Sequence, residues 1–226
     1  MVSYEAALGL GVAAVVLMTG TLSTHGIVDA QADRFVDWNL IATGFVPFAI
    51  FCIAATAELN RPPFDLVEAE QELVGGFQTE YSSIRFGMFY LAEFMNTITM
   101  SAIIVTLFLG GPAGPAPVGP AILWSFFWFL AKLFAFLFTF VWLRGTLPRF
   151  RYDQLMDLGW KKLIPVGLGW LLLLAALRIG RDRDWNVALV LGVSLAVAFV
   201  AGAALLQAMR VSQRNREAEA FEGVLR

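Results

Sequence analysis

The sequence predicts an all-α fold, a polytopic transmembrane helix bundle of about six spans. Three observations lead there. Of the 226 residues, 58% are hydrophobic and only 15% charged, with a mean hydropathy of +0.70. The apolar residues fall in repeated runs, most of them long enough at about 1.5 Å per residue to cross roughly 30 Å of hydrocarbon. Helix breakers and charges separate the runs, so the chain reads as one membrane domain, 1–226, threaded back and forth.

Taken in order, the first run, Glu5–Ser23, begins almost at Met1–Val2. It has no basic n-region and no small-residue cleavage site, and is expected to remain in the mature protein rather than act as a signal peptide. The second, Trp38–Leu59, stops at Arg61-Pro62-Pro63. The third and fourth, Phe86–Leu109 and Ala121–Leu143, flank "GGPAGPAPVGP", an uncharged stretch of breakers that reads as a plain turn. The fifth, Leu163–Leu177, is the shortest, and the sixth covers Asn186–Met209.

Cations near span ends are retained on the cytoplasmic side. Six spans put both termini and the second and fourth connections on one face, which carries eleven of the sixteen Lys and Arg. The opposite face carries four, Arg34, Arg178, Arg181 and Arg183, and Lys132 lies within a span. Both termini, an acidic loop at 60–85, a basic loop at 144–162 and a tail at 210–226 are therefore expected in the cytoplasm.

Several chemistries are excluded. Cys52 is the only cysteine and His25 the only histidine, so no disulfide, CxxC pair, iron–sulfur ligand set or other metal site is expected. His25 reads as a surface histidine. Neither a dinucleotide fingerprint nor a Walker loop is present. No cofactor bound by this chain is expected; the bilayer is an expected partner and nucleic acid is not.

The chemistry-bearing stretch is Ala57 to Phe94, with seven carboxylates. Pro62 and Pro63 end the second span and can open a short helix with Asp65 in its first turn. At about 100° per residue, Asp65, Glu68 and Glu72 share one face while Glu70 points away. Like charges at these spacings repel by a few tenths of a kcal/mol each, so the ridge needs water, a basic partner or protons. The run alone reads as the solvated face of an interfacial helix rather than as a functional one. Glu58 at the end of the second span, Glu93 within the third and Glu5 opening the first extend the set into the membrane, where a carboxylate is costly when ionised and unpaired. Such groups act either as proton relays or as polar links between helices; as a chain bordering an acidic loop, they favour relay. Lys132 in "LAKLFAFLF" extends the polar set or snorkels to the interface.

"ELNRPPFDLVEAEQELVGGFQTEY" followed by "FGMFYLAEFMN", with "FVWLRGTLPRFRYDQLMDLGWKKLIP" and the opening "SYEAALGL", resembles the ND-one-type family of membrane subunits of NADH-quinone oxidoreductase, respiratory complex I. The resemblance runs from Ser3 to about Leu177. It implies a multi-pass component of the enzyme in a bacterial plasma (inner) membrane that carries no electrons itself, with quinone as the substrate of the complex. Implied partners are other membrane subunits and the peripheral quinone-reducing arm. Arg61, Phe64 and Asp65 would belong to the quinone cavity region; Glu5, Glu58 and Glu93, with Glu68, Glu72 and Glu80 on the loop, would relay protons. Members of the family begin with further helices ahead of "SYE", so this chain is expected to be the C-terminal portion. Rival readings are a related membrane component of another dehydrogenase or an energy-converting hydrogenase, and a stand-alone ion transporter or a structural anchor.

Overall fold

The computed structural model describes residues 2–65, 80–115, 120–183, 186, 189–194, 196, 197, 202 and 207. Among them every regular element is helical. The helices are α1 (Val2–Thr19), α2 (Thr24–Asp29), α3 (Asn39–Ala42), α4 (Phe45–Glu58), α5 (Ile84–Phe108), α6 (Ala121–Thr146), α7 (Tyr152–Leu158) and α8 (Ile164–Asp182). A 3-10 turn at Phe35–Asp37 precedes α3, and a π-helical turn, Gly159–Leu163, joins α7 to α8. The chain forms two compact units, Met1–Leu171 and Leu172–Arg226.

Among the described residues, four helical stretches are long and apolar enough to cross a membrane: Val2–Thr19, Ile84–Phe108, Ile122–Thr146 and Tyr152–Asp182. They correspond to the first, third, fourth and fifth predicted spans. The second differs. Its apolar run is not one helix but α3 and α4, broken at Gly44, which adopts φ +76° where a Cβ would lie 2.7 Å from the Trp170 ring. The 14 residues of α4 span only about 21 Å. The fifth run is part of the longest continuous stretch, 31 residues, because the predicted basic loop is helical from Tyr152 onward. The sixth run lies largely outside the described residues, although 189–194 are helical. Within that second unit, Gly180 admits Val190, whose Cγ2 would be 3.0 Å from an added Cβ.

Small residues bring α1 against α4. Ala7, Gly11 and Ala14 form an i, i+4, i+7 stripe on α1, and Ala54, Ala55 and Ala57 answer from α4. In a hydrocarbon solvent, close backbone approach of this kind replaces the hydrophobic effect as the source of helix affinity. An added Cβ at Gly11 would lie 3.2 Å from Phe51, and one at Gly159 would lie 2.8 Å from Ser3 Oγ. Phe51, Ile104 and Phe108 then fill a fully buried cluster that also holds Val15, with Phe48, Phe136 and Phe140 at its edge.

The loops at one end of the first unit are tied by a polar node. Gln31 is fully buried; its Nε2 donates to the carbonyls of Ile27 and Thr106, and its Oε1 accepts from the backbone N–H groups of Asn39 and Gly110. Both hydrogens and both lone pairs of the side-chain amide are thereby matched. Asn39 Nδ2 donates to Leu107 O at 2.8 Å, and Trp170 Nε1 to Thr43 O at 2.8 Å. Lys132, expected to extend the polar set or to snorkel, reaches the turn after α5. Its Nζ donates to the carbonyls of Leu109, Gly111 and Ala113 at 2.7, 3.0 and 2.7 Å and lies 4.3 Å from the centroid of Trp38. A cation here caps the carbonyl end of α5. His25 is exposed, as expected, and pairs with Asp29.

Candidate functional site

The opposite end of that unit holds the start of the acidic motif, and local backbone chemistry explains how it begins. After α4 ends at Glu58, the N–H of Arg61 bonds to Thr56 O and that of Asn60 to Ala57 O, with Asn60 at φ 49°. This is a Schellman closure, in which the residue after the cap is left-handed; Asn tolerates that conformation better than most side-chain-bearing residues. Pro62 and Pro63 then prevent the helix from resuming. In "ELNRPP" the Asn reverses the chain, the Arg follows in the reversed direction, and the prolines hold it there.

Arg61 therefore reaches sideways to α5. Its Nη1 lies 2.8 Å from Glu93 Oε1, and both side chains are largely buried, at 12% and 16% exposure. The guanidinium also covers the ring of Phe94, 5.2 Å from its centroid. Glu93 heads a polar ridge on α5 continued by Thr97 and Ser101, whose hydroxyls bond back to the carbonyls four residues earlier. Beside the pair a cleft of about 220 Å³ opens between α5 and α6, walled by Thr97, Ile98, Leu137 and Phe140, with Arg144 at its edge.

The other predicted site residues separate into groups. Glu58 is half-buried at the end of α4, within electrostatic reach of Tyr4 on α1. Glu5 is exposed in the first turn of α1, and Glu80 is exposed ahead of α5. Phe64 is a core residue, 5% exposed, packed in a tilted arrangement against Phe150 with ring centroids 5.5 Å apart, while the Phe150 N–H donates to Pro63 O. It anchors the start of the acidic segment to the segment that follows α6. Asp65 is half-buried, and among the described residues its Oδ1 is buried without a hydrogen-bond partner. Glu68 and Glu72, and with them the predicted ridge, lie outside the described residues.

Sequence reasoning put Arg61 and Glu93 in separate roles, one lining a cavity and one relaying protons; the structure joins them. It missed Asn60 as the residue that makes the reversal, although Asn directly before Arg-Pro-Pro is the signal that identifies it. It also missed Arg144, which a cation in the last turn of a span does not distinguish from an ordinary interface anchor.

A family model described as NADH dehydrogenase matches residues 1–175. The chain belongs to the NADH dehydrogenase family. Among its curated relatives, the NADH-quinone oxidoreductase H subunits of Frankia alni and Frankia casuarinae are each 49% identical over 234 residues, covering 97% of this chain and 51% of the relative. The protein of the same name from Streptomyces avermitilis is 48% identical over 194 residues, 83% of this chain and 42% of its own length. This NADH dehydrogenase family chain thus spans about half the length of the curated relatives it matches. The Arg61–Glu93 pair, the "ELNRPP" reversal and Arg144 all lie within the part matched by the family model.

Proposed function

We propose that the chain serves as a membrane subunit of a proton-translocating NADH-quinone oxidoreductase, in which the segment after α4 contributes to a quinone cavity and buried carboxylates couple quinone reduction to proton movement. The observation that carries this reading is the Arg61–Glu93 pair beside an apolar cleft, in a chain whose relatives are named as subunits of that enzyme. Quinone is then the substrate of the complex, and this chain transfers no electrons. Its partners are other membrane subunits and the peripheral arm that reduces quinone, and its place is the bacterial plasma membrane, with the acidic segment on the cytoplasmic side.

The pair gives the coupling a physical form. A guanidinium stays protonated, so Arg61 cannot itself accept the moving proton. It can only approach Glu93 or withdraw. Withdrawal would leave a carboxylate in apolar surroundings without its counter-charge, which is costly until a replacement positive charge arrives. A proton entering from the loop is such a replacement, and return of Arg61 would release it. Asn60 and the prolines set the backbone on both sides of Arg61 and so aim its side chain at α5. Glu58, at the last turn of α4, is the neighbouring candidate for the next proton position.

A chimera tests the reading. This chain replaces the matching half of the homologous protein in an actinobacterial NADH-quinone oxidoreductase, and NADH-driven quinone reduction and proton uptake are measured in membrane vesicles. The expected result is an assembled enzyme active in both assays. A chimera that assembles with its peripheral arm yet reduces no quinone would contradict the reading.

A further inference from the structure

We infer that Phe150, in the segment after α6, is a positioning residue for the Arg61–Glu93 pair and holds it closed through Phe64. Its bearing on turnover rests on the proton-coupling reading; the contacts themselves do not. The path between them is short. The Arg61 backbone is tied on both sides: its N–H donates to Thr56 O in the last turn of α4, and its carbonyl accepts from the Phe64 N–H at 2.9 Å. Whatever holds Phe64 therefore sets how the Arg61 residue leaves the turn, and with it the direction in which the guanidinium sets out toward Glu93 Oε1, 2.8 Å from Nη1. A charge-assisted bond of that length tolerates little displacement of either partner.

Phe64 is held from two directions. It belongs to the buried cluster with Tyr4, Ile50 and Ala57, and its ring also meets that of Phe150, centroids 5.5 Å apart. Phe150 adds a main-chain bond beside the ring contact, its N–H donating to Pro63 O at 2.9 Å. Two adjacent residues of one segment are thus clasped by one residue of another. Phe150 is itself seated independently of α4. The chain is extended at Leu147 after α6, and at Arg151, whose N–H donates to Gln154 Oε1 at 3.1 Å, it opens α7; Leu155 and Leu158 of α7 pack against the cluster that holds Phe64. The Phe150 ring is 37% exposed, so truncating it opens no enclosed cavity of the kind that makes core deletions costly. Its grip on Phe64 can therefore be removed separately from core filling.

The test is a double-mutant cycle of Arg61→Met and Glu93→Gln, read by detergent unfolding of the full chain. It is run in the parent and in the Phe150→Leu, Phe150→Ala and Phe48→Ala backgrounds, each first checked for parental helix content by circular dichroism. Paired side chains couple, and the parent cycle should show a coupling of at least about tenfold in the unfolding equilibrium constant. Phe150→Leu keeps an apolar side chain against Phe64 and should retain it, whereas Phe150→Ala should reduce it below about threefold. Phe48→Ala truncates a ring packed on Phe108 and Phe136 and should leave the coupling at the parental level. Parental coupling in Phe150→Ala, with only a general loss of stability, would make Phe150 a structural residue and overturn the proposal. An equal loss of coupling in Phe48→Ala, or no coupling in the parent, would overturn it as well. Loss of coupling in Phe150→Ala together with parental quinone-linked turnover of the assembled enzyme would support the positioning role and count against the proton-coupling reading instead.

Discussion

Arg61 Nη1 lies 2.8 Å from Glu93 Oε1, tying the turn that closes α4 to a point about two and a half turns into α5. Removing one partner of a largely buried pair costs roughly 3–5 kcal/mol, because the other charge is left without compensation. Arg61→Met should therefore destabilise the chain by about 3 kcal/mol in detergent unfolding. Adding Glu93→Gln should recover most of that loss. A double variant as unstable as the sum of the singles would show that the two side chains are energetically independent.

The reversal at Asn60 predicts an order among substitutions. With φ at 49°, Asn60→Gly keeps the Schellman closure, whereas Asn60→Val places a β-branched residue in the left-handed region at a cost of about 1–2 kcal/mol. Thermal unfolding should rank Gly close to the parent and Val clearly below it. The reverse ranking would mean that the turn after α4 is not closed in this way.

Hydropathy made most spans legible, because a run of apolar residues crosses a bilayer whatever its neighbours are. It failed at Gly44, where the run is continuous in composition but the backbone breaks, and what occupies the space beside the break is Trp170, far away in the chain. The acidic positions were legible as a set, yet their partners were not. Nothing local shows that Arg61 meets Glu93 or that Phe64 packs against Phe150. Gln31 and Lys132 illustrate the same limit: their hydrogen-bond partners include Gly110 and Gly111, on the turn after α5, and polar residues satisfied by backbone groups leave no sequence pattern.

Lys132 should matter for stability rather than for turnover chemistry. Its three carbonyl bonds are hydrogen bonds to a charged group, worth about 1.5–3 kcal/mol each when considered singly. Lys132→Met should lower the unfolding midpoint and loosen the Leu109–Ala113 turn, read as faster amide exchange at Gly110 and Gly111. Unchanged exchange there would remove Lys132 from the account of how α5 is capped.

Membrane orientation has a direct readout. If the cation-rich connections face the cytoplasm, single cysteines at Ser82, which is exposed, and at Ala113 in the α5–α6 turn should react with an impermeant maleimide from opposite sides of sealed vesicles. Labelling from one side only would contradict the orientation.

Asp65 offers a second electrostatic prediction, since its Oδ1 is buried with no hydrogen-bond partner among the described residues. An uncompensated buried acceptor costs about 1–3 kcal/mol. Asp65→Asn should then leave stability within about 1 kcal/mol of the parent while lowering quinone-linked turnover of the assembled enzyme, if the carboxylate is held for function. A large loss of stability with normal specific turnover would make Asp65 a structural residue.

The central claim is that Glu93 moves a proton instead of merely bridging two helices. Its most direct test is proton uptake per quinone reduced, measured in sealed vesicles containing the fully assembled enzyme with Glu93→Gln. Gln keeps the size and a hydrogen bond toward Arg61 but cannot carry the exchangeable charge. The account predicts that, per assembled enzyme with its peripheral arm, quinone-linked turnover and proton uptake fall at least tenfold. Parental turnover together with a parental proton-to-quinone ratio would contradict it and leave Arg61–Glu93 as a structural link.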